Sequence, residues 1–434
     1  MKVAIQSCKN ISGRIDVGGD KSITHRSLII ASLANGTSKI EHYSRCDDCW
    51  STLRAMRSLG VVIKEKGNDL IVHGHGLHGL KEPDNILDCG NSGTTIRLLS
   101  GALAGQQFYT ILNGDTSLRS RPMDRIITPL RSMGANIKGR SADRFPPLCI
   151  QGTRLRSIEY TLPVPSAQVK SAILLAGLQA DRCTRIIEPK VSRDHTERLL
   201  TMFDADIECH DGTIAVRPGA LHASDITVPG DISSAAYFIV LGCLVDQSDI
   251  IIKDVGVNPT RTGILDVLMR MGACCTISNE RFISNEPIAD LTVTTSVLKG
   301  ITLSPDMVPR IIDELPLLAV TATQAEGTTI VQGAGELRVK ETDRISAIVQ
   351  ELKKLGADIH EREDGFIING PTPLYGARCC SHNDHRIAMS CSIAGLIAQD
   401  NTSIDEVSCV AISCPEFFDK IRDLTHEKVC ILES

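Results

Sequence analysis

The sequence predicts an α/β (α+β) fold of two domains, each built from three repeated βαβαββ modules. Three observations support this prediction: the length of 434 residues, one pattern that occurs six times, and two similar turns at which the chain is expected to cross between the domains. A chain of this length is long enough for two domains that each bury a core of their own.

Six apolar helices are each introduced by a polar turn with Ser, Thr, Asn or Asp, and their starts lie about 70 residues apart. They are rich in Ala, Leu and Ile. We expect them to begin near Ser22, Ser92, Ser166, Ser233, Asp313 and Asp384.

A short strand with Thr, Ser or Ile follows each apolar helix and precedes a second, amphipathic helix. Five of the second helices end with related text: LGVVI, MGANI, FDADI, MGACC and LGADI. The glycine, where present, suits a left-handed residue at the end of a helix, and the β-branched residues after it suit a strand. Each module is therefore predicted to read βαβαββ.

The segments VGGDKS (Val17 to Ser22) and VPGDIS (Val228 to Ser233) resemble each other and mark the expected crossings between domains. Both carry glycine, as an unusual turn requires. We expect one domain over residues 18–227 and a discontinuous second domain over residues 1–17 plus 228–434. A ligand site in the interdomain cleft is the default expectation for this arrangement.

Composition excludes several classes of function. The formal net charge of -6 disfavours bulk nucleic-acid binding. The N-terminus has no apolar signal-peptide core and no later run is long enough to cross a bilayer, so we expect a cytoplasmic protein with reduced thiols at its 16 cysteines. The CxxC of Cys46 and Cys49 is interpreted as an acidic helix start, in preference to a zinc or redox site.

Basic residues stand beside acidic or amide residues in DKSITHR, SLRSRP, VSRDHTER, NPTR, LRVKETDR and NDHR. Helix N-termini suit phosphate and carboxylate, and GGDKS, CGNSGTT and PSAQ offer small residues that let an anion approach the backbone. Surface salt bridges explain any single segment equally well. Asp313 is equally well explained as a residue that caps its helix, and Lys340 and Glu341 as an ordinary exposed pair. Recurrence at equivalent places in the module favours an anionic substrate site.

Taken together, GDKSITHR, GNSGTTIR, SLRSRPM, PSAQVKSA, RDHTERLL, NPTR, RVKETDR and NDHRIAM resemble the EPSP synthase (3-phosphoshikimate 1-carboxyvinyltransferase) family along nearly the whole chain. The SAQ, RDHTER and NPTR forms are similar to its class II branch, whose members are often tolerant of glyphosate. The resemblance implies the two-domain enolpyruvyl transferase fold, with parallel helices inside each domain. It also implies transfer of the enolpyruvyl group of phosphoenolpyruvate to the 5-hydroxyl of shikimate 3-phosphate, in the shikimate pathway of aromatic amino-acid biosynthesis.

The resemblance further assigns residues by matching positions. Those for shikimate 3-phosphate are Lys21, Ser22, Arg26, Ser166, Ala167, Gln168, Arg193, Asp313 and Lys340. Those for phosphoenolpyruvate are Lys21, Gly93, Arg121, Gln168, Arg344 and Arg386. It implies a monomer that acts on these two small molecules, with no metal or organic cofactor and no nucleic-acid or membrane partner.

The chemistry needs an acid and a base in each half of the reaction. Asp313 is the expected base on the hydroxyl, and Glu341 the group that protonates and later deprotonates the methyl carbon. Lys21 is the expected proton donor to the departing phosphate. Some family members carry a lysine where this chain has Ile412, so either the phosphoenolpyruvate pocket holds one fewer cation or Lys420 replaces that lysine.

Three other functions compete with this interpretation. A related transferase acts on UDP-N-acetylglucosamine, but it usually carries a reactive cysteine in the loop that spans Asp115 to Pro122 here, where this chain has none. A nucleic-acid clamp needs a surplus of basic charge on its inner surface. A phosphate-binding module without catalysis is distinguished by its lack of phosphate release.

Overall fold

A computed structural model describes residues 1–425 and 429–433. The chain divides into two compact units. The terminal unit comprises Met1–Gly18, Gly230–Arg281 and Pro287–Ser434, and the middle unit comprises Gly19–Pro229 and Phe282–Glu286. The five residues Phe282–Glu286 therefore belong to the middle unit although the chain on both sides of them belongs to the terminal unit, an arrangement that the sequence does not predict.

Among the described residues, each unit contains three apolar helices and three second helices, as the repeat predicts. The middle unit has Lys21–Leu33, Asp47–Ser58, Gly93–Leu103, Asp124–Ser132, Ala167–Gly177 and His195–Met202. The terminal unit has Ile232–Leu244, Gly263–Arg270, Leu315–Thr323, Arg344–Lys354, His385–Ile397 and Phe417–Thr425. Shorter helical turns lie at Leu118–Ser120, Arg140–Asp143, Val308–Ile311, Gly335–Val339 and Val407–Ile412.

The described strands form six small sheets, three in each unit. In the middle unit, the first sheet has the strand order Ile226–Thr227, Asn35–Glu41, Asp69–His75 and Val62–Lys66. The second has the order Leu87–Asp88, Tyr109–Asn113, Phe145–Gln151 and Asn136–Gly139. The third has the order Glu159–Thr161, Thr184–Ile187, Thr213–Val216 and Ile207–His210. In the terminal unit, the first sheet has the strand order Arg378–Cys380, Thr402–Asp405, Lys2–Ile5 and Cys430–Glu433. The second has the order Cys274–Ile283, Glu286–Thr294, Asp249–Gly256 and Ser12–Asp16. The third has the order Gly327–Val331, Gly365–Gly370 and Asp358–Arg362.

Some sheets contain strands that lie far apart in the sequence, so a sheet is not always formed by one continuous module. Ile226–Thr227 pairs in parallel with Asn35–Glu41, in register Ile226 to Ile40, although the two strands stand at opposite ends of the middle unit's sequence. Lys2–Ile5 lies between Thr402–Asp405 and Cys430–Glu433 and is antiparallel to both. In the three-stranded sheet, only isolated parallel bridges, such as Thr302 to Ile330, stand where a fourth strand is predicted.

The apolar helices form the centre of each unit. In the terminal unit, helices Ile232–Leu244, Leu315–Thr323 and His385–Ile397 all contact one another. In the middle unit, Gly93–Leu103 contacts both Lys21–Leu33 and Ala167–Gly177. Their residues are buried on nearly every face, as expected of helices that are apolar all round. Each unit therefore has its own hydrophobic core.

The predicted left-handed residues at the ends of second helices are confirmed. Gly60, Gly134, Gly272 and Gly356 have φ of 84°, 93°, 98° and 94°, and Asp204 takes the same role in FDADI with φ of 61°. Asp is among the few residues besides glycine that tolerate this conformation. The N-terminal placement of Asp47 and Asp48 in the first turn of Asp47–Ser58, with Cys46 as N-cap, is confirmed as well.

Two local predictions are wrong. The glycines of VGGDKS do not serve an unusual turn: a Cβ atom at Gly19 would lie 1.8 Å from the carbonyl oxygen of His42, so close backbone approach is what excludes a side chain there. The helix predicted near Asp313 begins at Leu315, but its N-cap is Glu314, so the prediction that Asp313 caps this helix is the second that is wrong. Within the described residues, no helix has the length and apolar character needed to cross a bilayer.

Candidate functional site

Lys21 begins the first apolar helix of the middle unit, and Asp20 caps that helix by accepting a hydrogen bond from the Ile23 backbone N–H. The Lys21 ammonium lies 3.0 Å from Asp48 Oδ2, which the first turn of the helix Asp47–Ser58 presents. The two side chains are only 17% and 9% exposed. This sheltered pair fixes the direction of the Lys21 ammonium, as an anion contact requires.

A chain of buried polar side chains connects two of the segments that are predicted to bind anions. His25 Nδ1 lies 2.7 Å from Thr52 Oγ1, and that hydroxyl lies 2.7 Å from Thr95 Oγ1. Burial lowers the pKa of His25 well below its usual value, and the charges of Lys21 and Arg26 act in the same direction. His25 is therefore a neutral hydrogen-bonding residue.

Arg26 is buried and fully directed by neighbouring oxygens. Its Nε donates to Thr196 Oγ1 at 2.7 Å, Nη1 to the Ser22 carbonyl at 2.9 Å and Nη2 to Ser171 Oγ at 2.9 Å. Thr196 stands in the first turn of the helix His195–Met202, three residues after Arg193, which is half-buried. The structure thus brings two predicted shikimate 3-phosphate residues, Arg26 and Arg193, to the same helix start.

Gly93, the first residue of its helix, faces two arginines. A Cβ atom there would lie 2.7 Å from Arg97 Nη1 and 3.5 Å from Arg121 Nη1. Arg97 Nη1 donates to Gln168 Oε1 at 2.8 Å, and Gln168 Nε2 donates to Thr94 Oγ1 at 2.9 Å. Gly93, Arg121 and Gln168 are therefore brought together, as predicted for the phosphoenolpyruvate residues of this unit.

Two further predicted residues also sit at a helix N-terminus. Ser166 caps the helix Ala167–Gly177 by accepting from the Val169 backbone N–H, and Ala167 is its first residue. Arg121 Nη2 donates to Asn91 Oδ1 at 2.5 Å and to Ser117 Oγ at 3.0 Å, which fixes its guanidinium at the turn before Gly93. The middle unit therefore offers three helix N-termini with polar side chains, which suits a phosphorylated ligand.

The terminal unit contains a cluster of carboxylates around Arg344. The guanidinium is 2% exposed and donates through Nε to Asp384 Oδ2 at 2.7 Å and through Nη2 to Glu341 Oε2 at 2.6 Å, while Nη1 lies 3.6 Å from Asp313 Oδ1. Lys340 Nζ lies 3.6 Å from the same Asp313 oxygen. Burial lowers the pKa of Arg344, but Asp384, Glu341 and Asp313 together raise it above its usual value, so the guanidinium stays charged.

Arg386 follows in the helix capped by Asp384 and is also buried. Its Nη1 lies 3.5 Å from the Ser233 carbonyl and 3.9 Å from Glu314 Oε1. Its Nε has no hydrogen-bond partner among the described residues. Burial raises the pKa of the adjacent Tyr237 to about 12. A buried, charged guanidinium with an open donor is suited to an anionic ligand.

The candidate replacement for the cation absent at Ile412 is engaged elsewhere. Lys420 Nζ lies 2.8 Å from Asp16 Oδ1, and Ile412 is the last residue of the turn Val407–Ile412. This contact gives no support for a role of Lys420 in phosphoenolpyruvate binding.

Sequence reasoning assigned no role to several residues that position the predicted ones. Asp48 pairs with Lys21, Arg97 holds Gln168, Thr196 holds Arg26 and Asp384 holds Arg344. A spacing argument identifies Arg97, which stands four residues after Gly93 on one helix face. Contacts between distant segments, such as Thr196 with Arg26, leave no trace in local sequence.

Solved structures with the same architecture define the class of protein. Two structures of EPSP synthase from Acinetobacter baumannii align with TM-scores of 0.88 and 0.87 at 42% and 44% identity. The first alignment covers 100% of both chains and the second 98% of each. The chain therefore has the two-domain enolpyruvyl transferase fold, with six small α/β modules.

Sequence comparison then identifies the family. The family model described as EPSP synthase (3-phosphoshikimate 1-carboxyvinyltransferase) matches residues 5–421. A Citrifermentans bemidjiense protein named 3-phosphoshikimate 1-carboxyvinyltransferase is 52% identical over 414 residues, 95% of this chain and 96% of that protein. A Bacillus pumilus protein of the same name is 50% identical over 417 residues, 96% of this chain and 97% of its own. This chain belongs to the EPSP synthase family.

Proposed function

We propose that this chain transfers the enolpyruvyl group of phosphoenolpyruvate to the 5-hydroxyl of shikimate 3-phosphate, giving 5-enolpyruvylshikimate 3-phosphate and phosphate. The family match over residues 5–421 is the observation that carries this function. The clusters around Arg26 and Arg344 support it. Hydroxyl and carbonyl oxygens direct the buried Arg26 toward an anion, and carboxylates surround the buried Arg344, as acid–base chemistry on two anionic substrates needs.

The proposed role of the middle unit is to hold phosphorylated substrate. Lys21, Ser22, Arg26 and Arg193, with the cap at Ser166, Ala167 and Gln168, bind shikimate 3-phosphate through charged side chains and helix N-termini. Gly93 leaves room beside Arg121 for the phosphoenolpyruvate anion, since any side chain at this position meets the two arginines. Lys21 also contacts phosphoenolpyruvate and donates the proton to departing phosphate.

The proposed role of the terminal unit is to move protons. Asp313 removes the proton of the 5-hydroxyl as that oxygen attacks the phosphoenolpyruvate carbon that bears the phosphate, and Lys340 stabilises the charge that develops there. Glu341 gives a proton to the methylene carbon and later removes one from the resulting methyl group. Arg344 and Arg386 hold the phosphoenolpyruvate anion and remain charged, because carboxylates surround them.

These roles require the groups of both units to reach the same pair of substrates, and we propose that they do so. The proposal includes a monomeric enzyme in a reducing, cytoplasmic compartment. The support for the compartment is that none of the 16 cysteines forms a disulfide within the described residues. Light scattering after size-exclusion chromatography tests the monomer, and a mass twice that of the chain contradicts it.

The experiment that tests the function is release of inorganic phosphate when both substrates are supplied, compared with each substrate alone. We expect release only with both. UDP-N-acetylglucosamine in place of shikimate 3-phosphate is expected to give none. A protein that binds the substrates without releasing phosphate would be a binding module, and the proposal would be wrong.

Glu341→Gln tests the proton-transfer role within the same assay. We expect kcat to fall by about 100-fold or more, because an amide cannot exchange the proton, while shikimate 3-phosphate binding stays nearly intact. Glu363→Gln, an exposed glutamate of the same unit, is the control. Substantial turnover by Glu341→Gln removes Glu341 from this role.

A further inference from the structure

The segment Phe282–Glu286 joins the strands Cys274–Ile283 and Glu286–Thr294 and belongs to the middle unit. Hydrogen bonds of Ser284 and Asn285 hold it there. The Thr227 backbone N–H donates to Ser284 Oγ at 2.8 Å, Arg198 Nη1 donates to the Asn285 carbonyl at 2.9 Å, and Asn285 Nδ2 donates to the Arg198 carbonyl at 3.1 Å. The segment is thus fixed against the helix His195–Met202.

The last residue of this segment makes a buried hydrogen-bond contact with the first residue of that helix. Glu286 Oε1 lies 2.7 Å from His195 Nδ1, and both side chains are 2% exposed. In this contact an Nδ1–H of the His195 ring donates a hydrogen bond to the carboxyl oxygen of Glu286. Arg198 Nε lies 4.0 Å from the second carboxylate oxygen.

This contact matters because the helix is short. It has eight residues, and its N-cap residue Asp194 makes no side-chain cap bond to the backbone. Asp194 instead accepts from Arg198 Nε at 2.8 Å. Helices of this length are not stable alone, so tertiary contacts decide where the first turn lies.

Two predicted ligands of shikimate 3-phosphate depend on that first turn. Thr196, the residue after His195, accepts from Arg26 Nε at 2.7 Å. Arg193 stands two residues before His195, where the chain enters the helix. A displacement of the turn therefore moves the acceptor of one predicted ligand and the backbone that carries the other.

We propose that Glu286 is a positioning residue for shikimate 3-phosphate: through His195 it sets the first turn of the helix His195–Met202 and so the placement of Arg26 and Arg193. This inference rests on the proposed function and on the proposed roles of those two arginines. It also means that a segment outside residues 18–227 completes the substrate-binding part of the middle unit.

The test compares steady-state constants of the full-length wild type with Glu286→Ala, Glu286→Gln and Glu280→Ala. Glu280 is an exposed carboxylate on the same hairpin and serves as the matched control. We expect Glu286→Ala to raise the KM for shikimate 3-phosphate about tenfold, with the KM for phosphoenolpyruvate unchanged and kcat within about threefold. Glu286→Gln keeps an acceptor for His195 Nδ1, so its KM is expected to stay within about threefold of the wild type.

A role in stability alone predicts another result. Loss of folded protein lowers kcat in proportion to the active fraction and leaves both KM values unchanged. That result, or equal rises in both KM values, overturns the inference. If Glu286→Ala does not fold, Glu286→Asp replaces it; the shorter side chain withdraws the carboxylate, and a selective rise in the KM for shikimate 3-phosphate is again expected.

Failure of the inference and failure of the proposed function give different results. A wild-type protein that releases no phosphate from the two substrates overturns the proposed function. A fully active wild type whose Glu286 variants all keep the wild-type KM for shikimate 3-phosphate overturns only the role of Glu286.

Discussion

At the scale of single residues, the candidate site depends on side chains that lack room to move. Gly93 is the clearest case, since a methyl group there meets Arg97 Nη1 at 2.7 Å. Arg97 in turn holds Gln168, so a forced shift of one arginine is transmitted to a predicted substrate contact.

Gly93→Ala is therefore expected to raise the KM for phosphoenolpyruvate about tenfold, equivalent to about 1.4 kcal/mol of binding free energy. The KM for shikimate 3-phosphate is expected to change less. Gly219→Ala is the control, because a Cβ atom at Gly219 has no heavy atom within 4 Å. Initial rates with one substrate varied at a time measure both constants, and equal effects of the two variants would contradict this reasoning.

His25 offers a pH test at the same scale. Its pKa is lowered in the folded protein, chiefly by burial, so the folded state keeps the ring neutral while the unfolded state gains a proton as pH falls below about 6.5. Stability is thus lost on acidification, by up to about 1.4 kcal/mol per pH unit from this residue, until the folded-state pKa is reached.

His25→Gln is expected to lose less stability between pH 7 and pH 5 than the wild type does, even if it is less stable at pH 7. Urea unfolding at several pH values measures the difference. His78→Gln, which changes an exposed histidine of the same unit, is expected to leave the pH dependence as it is in the wild type. Identical slopes for the wild type and His25→Gln would show that the ring titrates freely.

At the scale of helices and strands, caps link the fold to the site. Asp384 accepts from the Arg386 backbone N–H with one oxygen and from Arg344 Nε with the other, and it is fully buried. The Asp384 side chain therefore caps an apolar helix and also balances the charge of Arg344, a residue predicted to bind phosphoenolpyruvate.

Asp384→Ala is expected to reduce the free energy of unfolding by about 3–5 kcal/mol, because it leaves the buried Arg344 charge with fewer partners. Asp384→Asn retains a cap oxygen and is expected to cost less stability, but it weakens the hold on Arg344 and raises the KM for phosphoenolpyruvate. Chemical unfolding and kinetics of the two variants separate these effects. Equal losses of stability would mean that capping contributes little.

At the scale of the whole molecule, the chain closes its last sheet with its first strand. Ile5 lies opposite Thr402 on one side and Cys430 on the other, and it is fully buried. The terminal unit is therefore complete only when the N-terminal residues pair with a segment about 400 positions later in the chain.

Ile5→Ala is expected to reduce the free energy of unfolding by about 2–5 kcal/mol, the range for a large-to-small change in a core. Lys2→Ala on the same strand, where burial is only partial, is expected to cost less than about 0.5 kcal/mol. Denaturant unfolding checks both. A negligible effect of Ile5→Ala would show that this strand contributes little to the core.

Much of the fold was accessible from sequence because its signals are local. The apolar helices follow from periodicity and from capping residues such as Ser92 and Ser166. The left-handed residues at the ends of helices follow from glycine in the sequence. Asp204 also adopts this conformation, which Asp tolerates better than most residues do. The local prediction of an unusual turn was wrong at Gly19, because what excludes a side chain there is a carbonyl oxygen from another segment of the chain.

The sequence by itself determined the fold class, the family and the residues that carry the predicted chemistry, since repeats, caps and motifs depend on neighbours within a few positions. Only the tertiary structure decided which groups direct those residues. Glu286 meets His195 across 91 positions, Thr196 meets Arg26 across 170, and Asp384 meets Arg344 across 40. Such partners are selected by packing in three dimensions, and the sequence of either segment alone contains no record of the other.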